Sequence, residues 1–266
     1  MDEPTERLED DQVDAQLELS EDAARSPNDP WEDPRQSYLF LGASYRHTFL
    51  PGFMLGLFLG DYTPTNNPSF NLEMTVRRDG MDMIFGLGYQ GFHVSGPFRA
   101  DGDPETDVEF IDSDLSVVMA SATFLWSTNF NDVVSLQYGV GVGVGVTLGS
   151  LVRNEAYPDA NNNSGHAVSG FSRCDGPGVA RPGVPDTTYC ETVVADPNDP
   201  DARGGHYDFE SAKWFDSGSV PNLYARLALP HLALRIKPVR QFVMRIEGGF
   251  DVFSGFFVGG GMAYGF

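Results

Sequence analysis

The sequence predicts an all-β fold: an eight-stranded, antiparallel, up-and-down transmembrane β-barrel behind a disordered N-terminal tail. Three observations predict it. From Ser37 onward the chain is built of short runs in which apolar and polar residues alternate, and a strand places such sets on opposite faces. In the run Val134 to Leu148 the face opposite the large apolar residues carries mainly glycine. Finally, short and long connections alternate between the runs.

Residues 1 to 35 lack that alternation. The formal net charge of the whole chain is −21, and residues 1 to 34 hold 13 acidic side chains against Arg7 and Arg25. This stretch, ending in Pro30, Trp31 and Pro34, reads as a solvated, disordered tail. A strongly acidic chain without a basic, aromatic-studded patch repels phosphate backbones, which argues against nucleic acid as a partner. No basic stretch followed by an apolar one opens the chain, so an exported protein would carry its leader already removed. No uninterrupted apolar stretch reaches the roughly 18 residues of a transmembrane helix, so any membrane crossing falls to strands.

The first run spans Tyr38 to Thr48. In the second, Phe70, Leu72, Met74 and Val76 alternate with Asn71, Glu73, Thr75 and Arg77. The third sets Met83, Phe85, Leu87 and Tyr89 against Asp82, Ile84, Gly86, Gly88 and Gln90. Asp79-Gly80 between them is a strong signal for a type I′ hairpin turn. That turn sets Arg77 opposite Asp82, Met74 opposite Phe85 and Leu72 opposite Leu87, with every pair on one face. Leu115 to Trp126 is the fourth run. The fifth, Val134 to Leu148, is the most informative: a soluble sandwich would solvate its second face with charge, whereas glycine there leaves room inside a narrow barrel while valines meet lipid. A lipocalin-like soluble barrel, with its greasy residues inside, predicts polar residues at those glycines. His231 to Lys237, Phe242 to Phe250 and Phe256 to Phe266 complete the eight.

Arg78 to Gly80, Ser127 to Asp132 and Pro238 to Arg240 are short links, whereas Pro51 to Asn67, Ser95 to Asp114 and Ser150 to Val220 are long. Bacterial barrels keep short turns periplasmic and long loops outside. On that rule both termini and the tail are periplasmic, and the barrel, residues 36 to 266, carries a long extracellular loop over 150 to 220. Asp251 to Gly255 departs from the rule by being short. Phe49 to Gly60 and Pro221 to Leu229 are apolar but carry or border prolines unsuited to central strands, and read as rim pieces or strand extensions. Cys174 and Cys190 sit in a polar stretch unable to form a core and read as a loop disulfide.

The last run ends Met262, Ala263, Tyr264, Gly265, Phe266. Alternating hydrophobic positions before a final aromatic residue resemble the C-terminal assembly signal of bacterial outer-membrane proteins. The architecture from Ser37 to Phe266 resembles the small barrels of the OmpX, OmpA transmembrane-domain and OmpW type. The resemblance implies residence in the bacterial outer membrane, with lipid, lipopolysaccharide and the barrel-assembly machinery as partners. The very long third outer loop departs from that pattern.

Glu73, Arg77, Asp82, Arg235, Arg245 and Glu247 fall on the face assigned to the interior, where buried charges must pair. They read as a network that fills and locks the lumen. Asp159, Asn161 and Asn163 have the spacing of a calcium loop, but Ser164 stands where the turn needs glycine and no bidentate glutamate follows. Asp196, Asn198, Asp199 and Asp201 form a second oxygen-rich cluster. Both read as solvated loops, calcium being the alternative and no other cofactor being implied. His166, His206, Asp208 and Ser211 carry no nucleophile motif. The expected function is therefore non-enzymatic: a structural or surface-contact role through the outer loops, with an unidentified extracellular or periplasmic protein as a further possible partner. The alternative is a narrow conduit, or lateral passage of small apolar or zwitterionic molecules.

Overall fold

The structure, a computed structural model, describes residues 30–57, 59–61, 63, 65–159, 170–196, 204–216 and 220–266. Eight long strands form the barrel: β1 (Tyr38–Phe49), β2 (Asn66–Arg78), β3 (Met81–Ala100), β4 (Glu109–Asn129), β5 (Val134–Leu148), β6 (Leu223–Val239), β7 (Phe242–Asp251) and β8 (Gly255–Gly265). Each pairs antiparallel with the next. β8 closes on β1, with Phe40 opposite Gly265 and Phe49 opposite Phe256. Closure pairs every barrel strand on both sides along its membrane-level stretch, as strands in hydrocarbon require.

Local chemistry sets the register. Asp79 and Gly80 both have positive φ, 48° and 71°, as a type I′ turn requires. The ladder from that turn pairs Arg77 with Asp82, Met74 with Phe85 and Leu72 with Leu87. The barrel is inside out relative to a soluble protein: Leu72 and Val144 are 69% and 60% exposed, whereas Gln137 and His231 are 0% exposed. The β5 glycines lie on the inner face. A Cβ on Gly141 would stand 3.0 Å from the buried Thr123 hydroxyl, tighter than an ordinary contact, so its absence leaves room for that inward side chain.

Exposed aromatic residues mark two levels on the outer surface. Tyr45, Phe70 and Tyr89 are neighbours across β1, β2 and β3. Towards the short-turn end the exposed Trp126 and Tyr138 face each other, and exposed Tyr264 lies opposite the half-buried Phe242. At about 3.3 Å per residue and a tilt near 40°, the interval from Met81 to Tyr89 rises about 20 Å, close to the apolar band of outer-membrane barrels.

Beyond the far aromatic row β3 and β4 continue, 20 and 21 residues long in all, and stay paired out to Phe98 and Glu109. The segment 95–114 is thus mostly strand, turning only at its tip. The reason is pairing on both outer edges: Leu59–Asp61 adds to β3, and Leu151–Pro158 adds to β4. Phe171–Arg173 and Phe209–Glu210 add to Leu151–Pro158 in turn. The segment 150–220 therefore begins as part of a small sheet standing on the barrel. Residues 52–55 form one helical turn after Pro51.

The segment 223–229 is the outer half of β6, with Pro221 just before it. Pro230, next along the strand, does not break it because the register slips between Ala228 and His231. Leu229 and Pro230 bulge out, both exposed, at the kind of irregularity where a strand accepts proline. Residues 1–29 of the acidic stretch lie outside the described residues. Residues 30–37 do not hang free of the barrel, as a tail would, but cross its short-turn mouth with Glu32 inside.

Candidate functional site

The lumen gathers its charge in three layers. At the short-turn end, Arg77 donates to Asp82 Oδ1 at 2.6 Å and to Ser127 Oγ at 2.9 Å. Gln137 Nε2 donates to the other Asp82 oxygen at 2.7 Å, and Arg235 Nε lies 3.7 Å from that same oxygen. Arg235 and Lys237 each donate to Glu32 Oε1 at 2.7 Å, and Arg77 also pairs with Glu32.

Halfway along, Glu73 accepts from Ser44 Oγ at 2.6 Å and pairs with Arg46 and Arg245. Glu247 accepts from Arg245 Nε and His231 Nε2, both at 3.1 Å, and pairs with Arg46. At the outer level Arg226 donates to Asp251 at 3.3 Å. The Phe257 ring separates Arg46 from Arg226, lying 5.9 and 5.7 Å from the two guanidiniums. The space among Arg46, Gln90, Met119, Arg226 and Asp251 is about 10 Å³, on the scale of one water. The layers are thus packed with paired side chains, which is how charge survives burial.

The six interior charges expected from alternation are divided between two of these layers: Arg77, Asp82 and Arg235 in one, Glu73, Arg245 and Glu247 in the next. Arg46, His231, Lys237 and Asp251 were missed, though continuing the same alternation along each strand points all four inward. Arg226 carries no such signal, because the bulge at Leu229 and Pro230 reverses the alternation in the outer half of β6. Glu32 has none either, since nothing periodic precedes Ser37.

A second cluster lies in the outer sheet. Glu109 takes a bidentate contact from Arg153, 2.7 and 2.6 Å, and its Oε1 lies 2.8 Å from His206 Nδ1. Glu155 accepts from the His206 backbone N–H at 2.9 Å. Burial raises the Glu155 carboxyl to about 7, with Glu109 and Glu191 adding to the rise. Burial opposes the Glu109 charge too, but His206 and Arg153 outweigh it and hold Glu109 below its ordinary value. Glu109, Glu155 and His206 converge closely enough to surround a cation. Arg153 already neutralises Glu109 through both oxygens, so the arrangement is an ion-pair clip holding 204–210 to the outer strands.

Cys174 and Cys190 form a disulfide, buried with Ala180 against Tyr157 and Tyr207. It gives the outer sheet a small core of its own. Of the oxygen-rich clusters, Asp159 accepts from Ser172 Oγ at 3.0 Å and Asp196 is also partnered. Asn161, Asn163, Asn198, Asp199 and Asp201 lie outside the described residues. Asp208 pairs with Arg173 rather than with His206, and His166 lies outside the described residues. Met262, Tyr264 and Phe266 form an exposed outer row, the last two rings 5.6 Å apart.

A closed barrel with ion pairs inside and an exposed apolar wall outside defines a class: the small eight-stranded transmembrane β-barrel. No protein-family model and no curated protein matches the chain. Among solved structures it is similar to Ail, the attachment invasion locus protein of Yersinia pestis, solved with the heparin analogue sucrose octasulfate. The identity is 13% and the TM-score 0.35, over 86% of this chain and 97% of that one. It is also similar to Neisserial surface protein A, at 7% identity and a TM-score of 0.37, over 87% of this chain and 100% of that one.

Proposed function

We propose that this chain is a non-enzymatic barrel of the bacterial outer membrane that acts through surface contacts made by its outer sheet, with both termini periplasmic. The observation that carries the reading is the division of the molecule at the Tyr45–Phe70–Tyr89 row. Below it the surface is apolar and the interior locked. Above it β3 and β4 stand out into a sheet with its own disulfide and its own ion-pair clip, features that membrane residence alone does not call for. Its partners in the membrane are lipid, lipopolysaccharide and, during insertion, the assembly machinery. The filled lumen favours this reading over a conduit.

Two measurements test it. The protein is expected to require detergent and to migrate differently before and after heating; free solubility as a monomer overturns the membrane reading. An epitope placed in the turn at Asp101–Gly102 is expected to be accessible on intact cells, and accessibility only after permeabilisation overturns the orientation.

A further inference from the structure

The three lumen layers differ in how they balance charge. In the middle layer Arg46 and Arg245 meet Glu73 and Glu247, and in the outer layer Arg226 meets Asp251. All of these belong to barrel strands. At the short-turn end the strands supply Arg77, Arg235 and Lys237 but, among the described residues, only Asp82 against them. The missing negative charge comes from outside the barrel wall. Glu32, on the segment crossing the mouth, offers one oxygen to Arg235 and Lys237 and the other to Arg77, and its side chain is only 12% exposed.

The cations are built to receive an anion at that point. Lys237 is 1% exposed and its ammonium lies 5.5 and 5.7 Å from the Tyr38 and Phe40 rings. The Arg235 guanidinium lies 5.7 Å from the Phe40 ring. Ring faces fix these groups without neutralising them, and two arginines with a lysine around one carboxylate form the donor set that recognises oxyanions generally. The segment is also joined to β1, where the Asp33 N–H donates to the Tyr38 hydroxyl at 2.8 Å. Beside Glu32 a recess of about 280 Å³, lined by Trp31, Gln36, Arg77, Asn131 and Arg235, opens to solvent.

We propose that Arg77, Arg235 and Lys237 form an oxyanion-binding site at the short-turn end of the barrel, and that Glu32 is its resident, displaceable ligand. A small carboxylate or phosphate entering by the recess takes the place of the Glu32 carboxylate, and the mouth segment swings away. The site does not depend on what the outer sheet contacts.

The test uses the full chain in detergent, with inorganic phosphate and acetate as probes and calorimetry and thermal unfolding as readouts. Glu32→Ala and Glu32→Gln remove the resident charge, the second with little change of shape. Both are expected to bind phosphate at least about tenfold more tightly than the parent, and phosphate is expected to raise their unfolding temperature, since a ligand of the folded state stabilises it. Adding Lys237→Met to Glu32→Ala should abolish the gain. Acetate binding without phosphate binding would assign the site to monocarboxylates, which still supports it. Folded variants that bind neither anion better than the parent overturn the proposal. So does failure of both variants to fold, because Glu32 would then be an indispensable structural ion and not a displaceable one.

Discussion

Glu247→Gln is the sharpest probe of how the lumen is held. The carboxylate is buried and serves Arg46, Arg245 and His231 at once. The amide keeps the shape and removes the charge, leaving two buried guanidiniums to share Glu73. At an effective dielectric near 20 and about 4 Å, each lost charge pair is worth about 4 kcal/mol, so about 8 kcal/mol is the ceiling. Against this stands the desolvation that Glu247 itself no longer suffers, several kcal/mol for a buried ion. One retained hydrogen bond adds about 1 kcal/mol. The expected net destabilisation is about 3–5 kcal/mol, the usual cost of breaking a buried pair from one side. Urea unfolding in lipid vesicles measures it, with heat-modifiable migration confirming that the barrel has formed. Glu247→Gln combined with Arg245→Gln restores the balance of charge and should be less destabilised than the sum of the two single variants. A single variant within about 0.5 kcal/mol of the parent, the range of a neutral surface change, would show that the layer does not hold the barrel together.

Three further outcomes are expected. Leu72→Arg, at a position 69% exposed on the outer wall, should cost about 2–4 kcal/mol in lipid if it faces the bilayer midplane, whereas a water-facing wall would tolerate it; vesicle unfolding separates the two. Cys174→Ser with Cys190→Ser opens a bridge spanning 16 residues, worth about 3 kcal/mol in the chain-entropy account. Limited proteolysis should then cut the outer sheet while the heat-modifiable band stays unchanged. The third concerns pH. Because Glu155 titrates at about 7 in the folded clip against an ordinary 4.5, the folded clip binds more protons between those values. Its stability is full below about pH 4.5 and falls as pH rises through 7. Hydrogen exchange over residues 151–158, corrected for intrinsic rates, should show this fall, and Glu155→Gln should flatten it. A profile identical in both proteins would remove Glu155 as the cause.

Alternation with a period of two is a local property, and it was enough to define the barrel. It located the eight runs, Asp79-Gly80 fixed one hairpin to the residue, and the glycine face of β5 turned the fold inside out. The same alternation sent Glu73, Arg77, Asp82, Arg235, Arg245 and Glu247 inward. What it could not assign was partners, since a residue's parity says which face it occupies but not its height or its neighbour across the lumen. Arg46 reaches Glu247, 201 positions away in the chain, only because closure of β8 on β1 brings the two walls together. The bulge at Leu229 and Pro230 shifted parity in mid-strand and hid Arg226 from any periodic reading. The outer clip joins Glu109 to His206 across 97 positions, by strand pairing that begins where the alternating signal fades. Glu32 came into the lumen with no periodic signal at all. Only the closed barrel, with more cations than anions at its mouth, decided that an acidic residue from the tail should fill it.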